Sequence, residues 1–292
     1  MRIEYLKILV FGLMLFTACS SPKVMTSLKT NAETFEQSGN YTEALSSWEQ
    51  YFSQIPLEEI PGADFARAAK TAFKAGRIEK AIVWFDQARY KNYAAPEMYE
   101  TLASIFKEQN NLSKELSALE YYVENYGTDN QEINISLFEI YTEIGELDKA
   151  QAYWNFLDTG SCAIEKNMVK FLEVNNKLGE TAISDSLASE ILKINPEQTE
   201  ALDWLAKKYY WAGQNRYNSE MKKYEENKTR KQYNILLKEL DRVTSDFKKA
   251  LPYLEKLWKQ NPGKEYAGYF ANIYARFGDE KKVDYYQKYM NQ

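Results

Sequence analysis

Glu139 and Glu143 stand one helical turn apart. Two carboxylates at that spacing can divide the work of general acid and general base, provided a polarising partner or a closed pocket drives their proton affinities apart. The neighbouring sequence supplies neither. No histidine occurs among the 292 residues, which removes imidazole bases, the usual serine and cysteine triads and most zinc sites. No phosphate loop, metal cluster or activated nucleophile stands out. No catalytic residue, cofactor or metal is therefore assigned, and the expectation is that the chain is not an enzyme. Cys162 closes the turn Asp158-Thr-Gly-Ser-Cys162 and reads as a plain buried or half-buried thiol. The net charge of −5 gives no global case for nucleic acid. It is unevenly spread, with −13 over residues 20–200 and +7 over 201–292.

The elements that carry these residues show in the periodicity. Leu137, Phe138 and Tyr141 fall on one face of a helix, and Leu147, Ala150 and Trp154 on one face of the next. Gly145 lies between them and can take the left-handed conformation that ends the first helix. Neither helix hides its apolar face alone, so the unit must stack on a neighbour like itself. Gly39, Gly76, Asn110, Gly145, Gly179 and Gly213 sit at matching places, spaced by 37, 34, 35, 34 and 34 residues. Aromatic residues such as Phe35, Phe106, Tyr141 and Tyr209 precede the markers. A small residue follows five later at Ala44, Ala81 and Ala150, then a large one at Trp48, Phe85 and Trp154. Pro56, Pro196 and Pro262 close units, since proline cannot continue a helix. Glu115 and Ser184 depart from the small position, and Asn175 from the aromatic one.

This pattern resembles the tetratricopeptide-repeat family. The resemblance implies an all-α fold, a right-handed superhelix whose concave face is lined by the first helix of each repeat. Repeats one to five fall in 31–198, and repeats six and seven in 199–292. On the groove side that the resemblance implies stand Glu97, Glu100, Glu108, Glu132, Glu139 and Glu143. A run of carboxylates there suits a basic segment of a partner protein; the same residues also suit a solvated helix exterior. The corresponding column of the family's carboxylate clamp holds Lys70, Ser104, Glu139 and Glu173, which does not support that clamp.

The first residues resemble a bacterial lipoprotein leader. Arg2 and Lys7 precede the nine apolar residues 8–16, too short a run for a bilayer, where about 20 are needed, but right for a signal peptide. Phe16-Thr-Ala-Cys19 then resembles a lipobox, with Phe16 in place of the usual leucine. The resemblance implies residues 1–18 as a cleaved signal, lipid on Cys19 and a tether over 19–30. Several acyl chains give stable anchoring, and they leave Cys162 without a disulfide partner. Ser20 in place of aspartate removes the inner-membrane retention signal. The expected address is the outer membrane, periplasmic face. Asp185-Ser186-Leu187 resembles a short O-glycosylation sequon, which marks Ser186.

Repeat six opens with Leu202, Leu205, Ala206 and Tyr209 and is expected to turn at Gly213. Its second helix has its best match only at Phe247 to Leu257, so a helical hairpin is expected to be inserted at about 215–244, turning at Asn227–Gln232 with Thr229 and Gln232 in capping spacing. Pro252 is expected in a first turn. Lys222, Lys223, Lys228, Arg230 and Lys231 surround the insert's turn, as an acidic-partner contact or a solvated tip. Tyr210 and Trp211 at its root could anchor a partner or pack under the hairpin. The stretch from Trp204 to Leu240 resembles tetratricopeptide lipoproteins of the Bacteroidota. The function expected is a membrane-tethered adaptor that holds envelope proteins or peptide segments in its groove. The alternatives are a component of outer-membrane protein assembly or secretion and a peptide- or glycan-binding lipoprotein.

Overall fold

The computed structural model describes residues 22–290. The leader, Cys19 and the start of the tether lie outside them. Among the described residues the regular secondary structure is helical, and no helix is long and apolar enough to cross a membrane. The chain divides into two compact units at Gly127 and Thr128.

The first unit holds three helix pairs: α1 (Pro22–Gln37) with α2 (Tyr41–Ser53), α3 (Gly62–Lys74) with α4 (Ile78–Tyr90), and α5 (Pro96–Glu108) with α6 (Leu112–Tyr126). Their turns pass through left-handed backbone at Gly39, Gly76 and Asn110. Ala44 and Ala81 are fully buried, which lets each pair close up, while Trp48 and Phe85 fill the space beside them. Phe52 joins successive pairs, with ring centroids 4.8 Å from Phe65 and 5.2 Å from Trp84. Two carboxylates go inward with partners. Asp64 takes the Lys29 ammonium at 2.7 Å and the Tyr51 hydroxyl at 2.9 Å. Glu36 takes the Trp48 indole N–H at 2.7 Å and Arg67 Nε at 2.7 Å.

The second unit continues with α7 (Gln131–Ile144) and α8 (Leu147–Trp154), a one-turn helix α9 (Thr159–Cys162), then α10 (Glu165–Leu178) and α11 (Thr181–Ile194). Trp154 stacks on Phe171 with centroids 4.0 Å apart, tying α8 to α10. The departures from the repeat pattern have separate accounts. Asn175, at the aromatic position, is buried and donates to the Phe171 carbonyl at 2.7 Å. Ser184 is buried at the small position, and its hydroxyl has no hydrogen-bond partner among the described residues. Cys162 is half-buried, and burial first, then the Asp158 charge, pushes its thiol pKa up. Gln198 caps the next helix, accepting from Ala201 N at 3.1 Å.

Two expectations fail in the pair after α11. α12 runs unbroken from Thr199 to Glu226, straight through Gly213, and α13 runs from Arg230 to Gln260. No turn forms at Gly213. The extra residues lengthen both helices of one pair, so residues 215–244 supply the far ends of α12 and α13. A Cβ on Gly213 would lie 3.0 Å from two ring carbons of the fully buried Phe247. Glycine costs a helix about 1 kcal/mol, and here its absent side chain lets α13 come close. The turn at residues 227–229 does form, and Thr229 Oγ1 accepts from Gln232 N at 3.2 Å. Arg216 bridges the pair to Glu239 and Asp246, each at 3.2 Å. Pro252 lies deep inside α13, not in a first turn. It sits on the exposed side, where water can satisfy the carbonyl freed by its missing N–H. α14 (Lys264–Phe277) and α15 (Glu280–Met290) complete the unit. Phe270 is buried and stacks on Tyr286 at 4.4 Å.

Candidate functional site

The glutamates marked by sequence do not build a catalytic pair. Glu139 forms an ion pair with Lys166 of α10, while Glu143 is exposed one turn on. Among the described residues, no group of three or more His, Cys, Asp or Glu is placed to hold a metal ion. Glu132 on α7 and Glu97 and Glu108 on α5 are exposed, and Glu100 is half-buried. Glu97 shares a 310 Å³ hollow with Lys29, Arg67 and Lys70, so the surface there is of mixed sign rather than a run of carboxylates. α5 and α7 belong to different units, and each set of glutamates stands by itself.

A larger concavity of about 710 Å³ opens in the second unit, lined from α10, the start of α11, and α12. α12 gives it Glu200, Trp204, Lys208, Trp211 and Asn215, residues three or four apart that form one stripe of the helix, together with Asp203 and Lys207 beside them. α10 contributes Leu172, Glu173 and Asn176. Trp204 is fixed by its indole N–H, which donates to Asp185 at 3.0 Å. Trp211 is 48% exposed. Lys207 is held between Asp203 at 2.8 Å and Glu265 at 2.9 Å. Burial works against its charge, but the bonds to those two carboxylates outweigh it and raise its pKa. Lys208 meets Asp185 at 2.6 Å. The walls thus set two tryptophans and Leu172 among charged groups, and both lysines are held by carboxylates.

Of the two roles left open for Tyr210, anchoring a partner or packing at the root of the hairpin, its burial fits the second. It is 5% exposed, with ring centroids 4.6 Å from Tyr269 and 5.6 Å from Phe247, and burial raises its pKa. It packs inside the second unit and is closed to a partner. Trp211, one residue on, points 100° away around the helix and reaches the concavity. Ser186 is exposed on α11 between Asp185, which is engaged by Trp204 and Lys208, and the half-buried Leu187. Trp204, Lys207, Lys208 and the α10 residues were missed as site residues. The spacing of Trp204, Lys208, Trp211 and Asn215 along one face was the available signal.

No family model matches the chain, and no curated protein matches it. Solved structures do. The repeat protein YrrB, described as having an unusual peptide-binding site, superposes with a TM-score of 0.50 at 12% identity, over 62% of this chain and 92% of its own. A Bacteroides ovatus protein, described as a candidate protein-binding protein, gives 0.52 at 15% identity, over 75% and 98%. The chain has the tetratricopeptide-repeat fold. In tetratricopeptide terms α10 and α12 are first helices of successive repeats, so the concavity lies on the side that the sequence reading assigned to partners.

Proposed function

We propose that this chain is a non-enzymatic interaction module that receives a segment of a partner protein in the α10–α12 concavity. Lipid on Cys19 would hold it at the periplasmic face of an outer membrane. The concavity carries the reading: a half-exposed tryptophan and a fixed one, both on α12, beside Leu172, Glu173 and Asn176 of α10, the first helix of the preceding repeat. Half-exposed aromatic anchors in a concave wall are what protein interfaces bury most profitably. The peptide-binding site described for YrrB lends support through the shared fold. The tether reading rests on the apolar run 8–16 and the Ala18-Cys19 junction; lipid on Cys19 would confine the module and raise the effective concentration of its partners. A partner in outer-membrane protein assembly or secretion is a narrower form of the same proposal.

The test places a photo-crosslinking amino acid at position 211 in cells and identifies the adducts by mass spectrometry. Discrete envelope proteins should be captured from position 211, not from the exposed position 90 on α4, and the yield should fall in a Cys19→Ala background. Equal adducts from both positions would remove the concavity as the site. An unchanged yield with Cys19→Ala would remove the tether. A second reading, a free peptide or glycan as ligand, has its own observation. The 710 Å³ volume lies in the range of small-ligand sites, roughly 300–1,000 Å³. Thermal shifts with such ligands separate the two.

A further inference from the structure

Charge around the concavity is unevenly balanced. Glu173, Glu200 and Asp203 line it against Lys207 and Lys208. Neither lysine is free to receive an anion. Lys207 already sits between Asp203 and Glu265, and Lys208 against Asp185. With those outer partners included, five carboxylates face two ammonium groups. Glu173 also meets Lys177 at 2.7 Å, but that pair is exposed on both sides, where such contacts are weak and exchange readily. Glu200 is exposed and accepts from the Gln198 amide at 2.6 Å, and among the described residues no cation lies against it. An acidic segment would meet lysines whose charge is spent and a bare carboxylate.

The aromatic lining points the same way. A half-exposed indole presents a negative face that attracts a cation within about 6 Å of the ring, most often an arginine. Carboxylates nearby accept charge-assisted hydrogen bonds from the same group. Leu172 and Trp204 supply apolar surface for the stem of a long basic side chain. From Glu200 to Asn215 the stripe runs about 22 Å along α12 at the α-helical rise, the length of about six or seven residues of extended peptide.

Resting on the reading of the concavity as a partner groove, we propose that its occupant is an extended segment carrying an arginine or lysine flanked by apolar residues. The cationic head lies on Trp211, and the surplus carboxylates, Glu200 foremost, set the preference for positive charge. The acidic character expected of the glutamates on α5 and α7 is met here by a different set of residues.

The probe is a random twelve-residue peptide library displayed on phage, panned against the full-length lipidated protein. Selected peptides should share a basic residue beside apolar ones. Their affinity should fall about tenfold on Trp211→Ala, the size of a cation–aromatic contact at a partly desolvated site. It should fall severalfold with Glu173→Gln combined with Glu200→Gln, at higher salt, and when the peptide's basic residue becomes glutamine. These residues are surface residues, and circular dichroism checks that each variant keeps the wild-type helix content. Peptides that lose binding on Trp211→Ala but carry no basic residue would overturn the charge assignment and leave the groove reading standing. Peptides indifferent to Trp211→Ala, or no enrichment, would overturn both.

Discussion

The α7–α8 and α12–α13 pairs place a glycine at the same point of the 34-residue register and use it for opposite purposes. Gly145 has φ +79°, ends α7, and has nothing within 4 Å of where a Cβ would stand. Gly213 is helical, and a Cβ there would meet Phe247 at 3.0 Å and Asp246 Cβ at 3.4 Å. The first is chosen by backbone conformation, the second by space. A repeat marker therefore tells where a glycine falls, not what it does. The difference decides whether a pair closes after about 14 residues or extends to 28 and 31.

Phe247→Ala should break the elongated pair most severely. Phe247 is fully buried, and truncation of such a ring costs about 3–5 kcal/mol through lost contacts and the cavity left behind. The comparison sharpens in a double-mutant cycle. In the wild-type background Gly213→Ala gains helix propensity but presses on the Phe247 ring. In the Phe247→Ala background the ring is gone, and the same change should stabilise by about 1 kcal/mol. Urea denaturation followed by circular dichroism reads both. An equal gain in the two backgrounds would show that Gly213 does not serve the helix contact.

The first unit offers a break that needs only base. Tyr51 donates to Asp64 at 2.9 Å, and burial, reinforced by that carboxylate, pushes its phenol up to about 12. Below pH 10 the phenol is neutral in both folded and unfolded chains, and the stabilisation is whole. Between pH 10 and about 12 the unfolded chain gives up the proton while the folded one keeps it, so stability is lost as pH rises. The loss should reach about 2–3 kcal/mol. Tyr51→Phe should flatten that limb, at the expense of about 1 kcal/mol at neutral pH for the lost hydrogen bond. Urea midpoints at pH 9 and pH 11.5, with and without the substitution, measure it.

Gly145 responds to a different chemistry from Gly213. Gly145→Ala puts a Cβ into left-handed backbone and should cost about 1–2 kcal/mol despite the open space around it. Gly145→Asn should cost less, because asparagine tolerates that region; Asn110 holds the equivalent place at φ +52°. If alanine and asparagine cost the same in thermal melts, space rather than backbone governs the turn after all.

Much of the fold was legible because its signals are local. The small-then-large spacing of Ala44 with Trp48 and Ala81 with Phe85 needs only adjacent turns of one helix, and all four are buried. The turn at Asn227–Thr229 could be read because Thr229 caps from its own neighbourhood. Gly213 and Pro252 misled for the converse reason. Each is a helix breaker by propensity, overridden by what packs beside it or by solvent that accepts the loss. The concavity was half legible. Tyr210 and Trp211 were taken together, although neighbours on a helix face different ways, and one is buried while the other is exposed. Its α10 wall comes from Leu172, Glu173 and Asn176, joined to α12 only by tertiary packing.

Trp211→Ala should have the smallest effect on stability. The indole is 48% exposed, and its ring meets Tyr210 with centroids 5.2 Å apart. Surface substitutions of this kind change stability by about 0.5 kcal/mol or less. Trp48→Ala, at a fully buried position in the first unit, sets the opposite standard at about 3–5 kcal/mol. A large apolar side chain that the folded chain does not need for its own stability is free to serve something else, and its half-open indole is surface that a partner can bury. Thermal melts of the two variants decide between packing and recognition. If Trp211→Ala melts as early as Trp48→Ala, the indole is a packing element of the α12 face and the concavity has no free anchor. If it melts with the wild type while peptide binding is lost, its role lies in recognition.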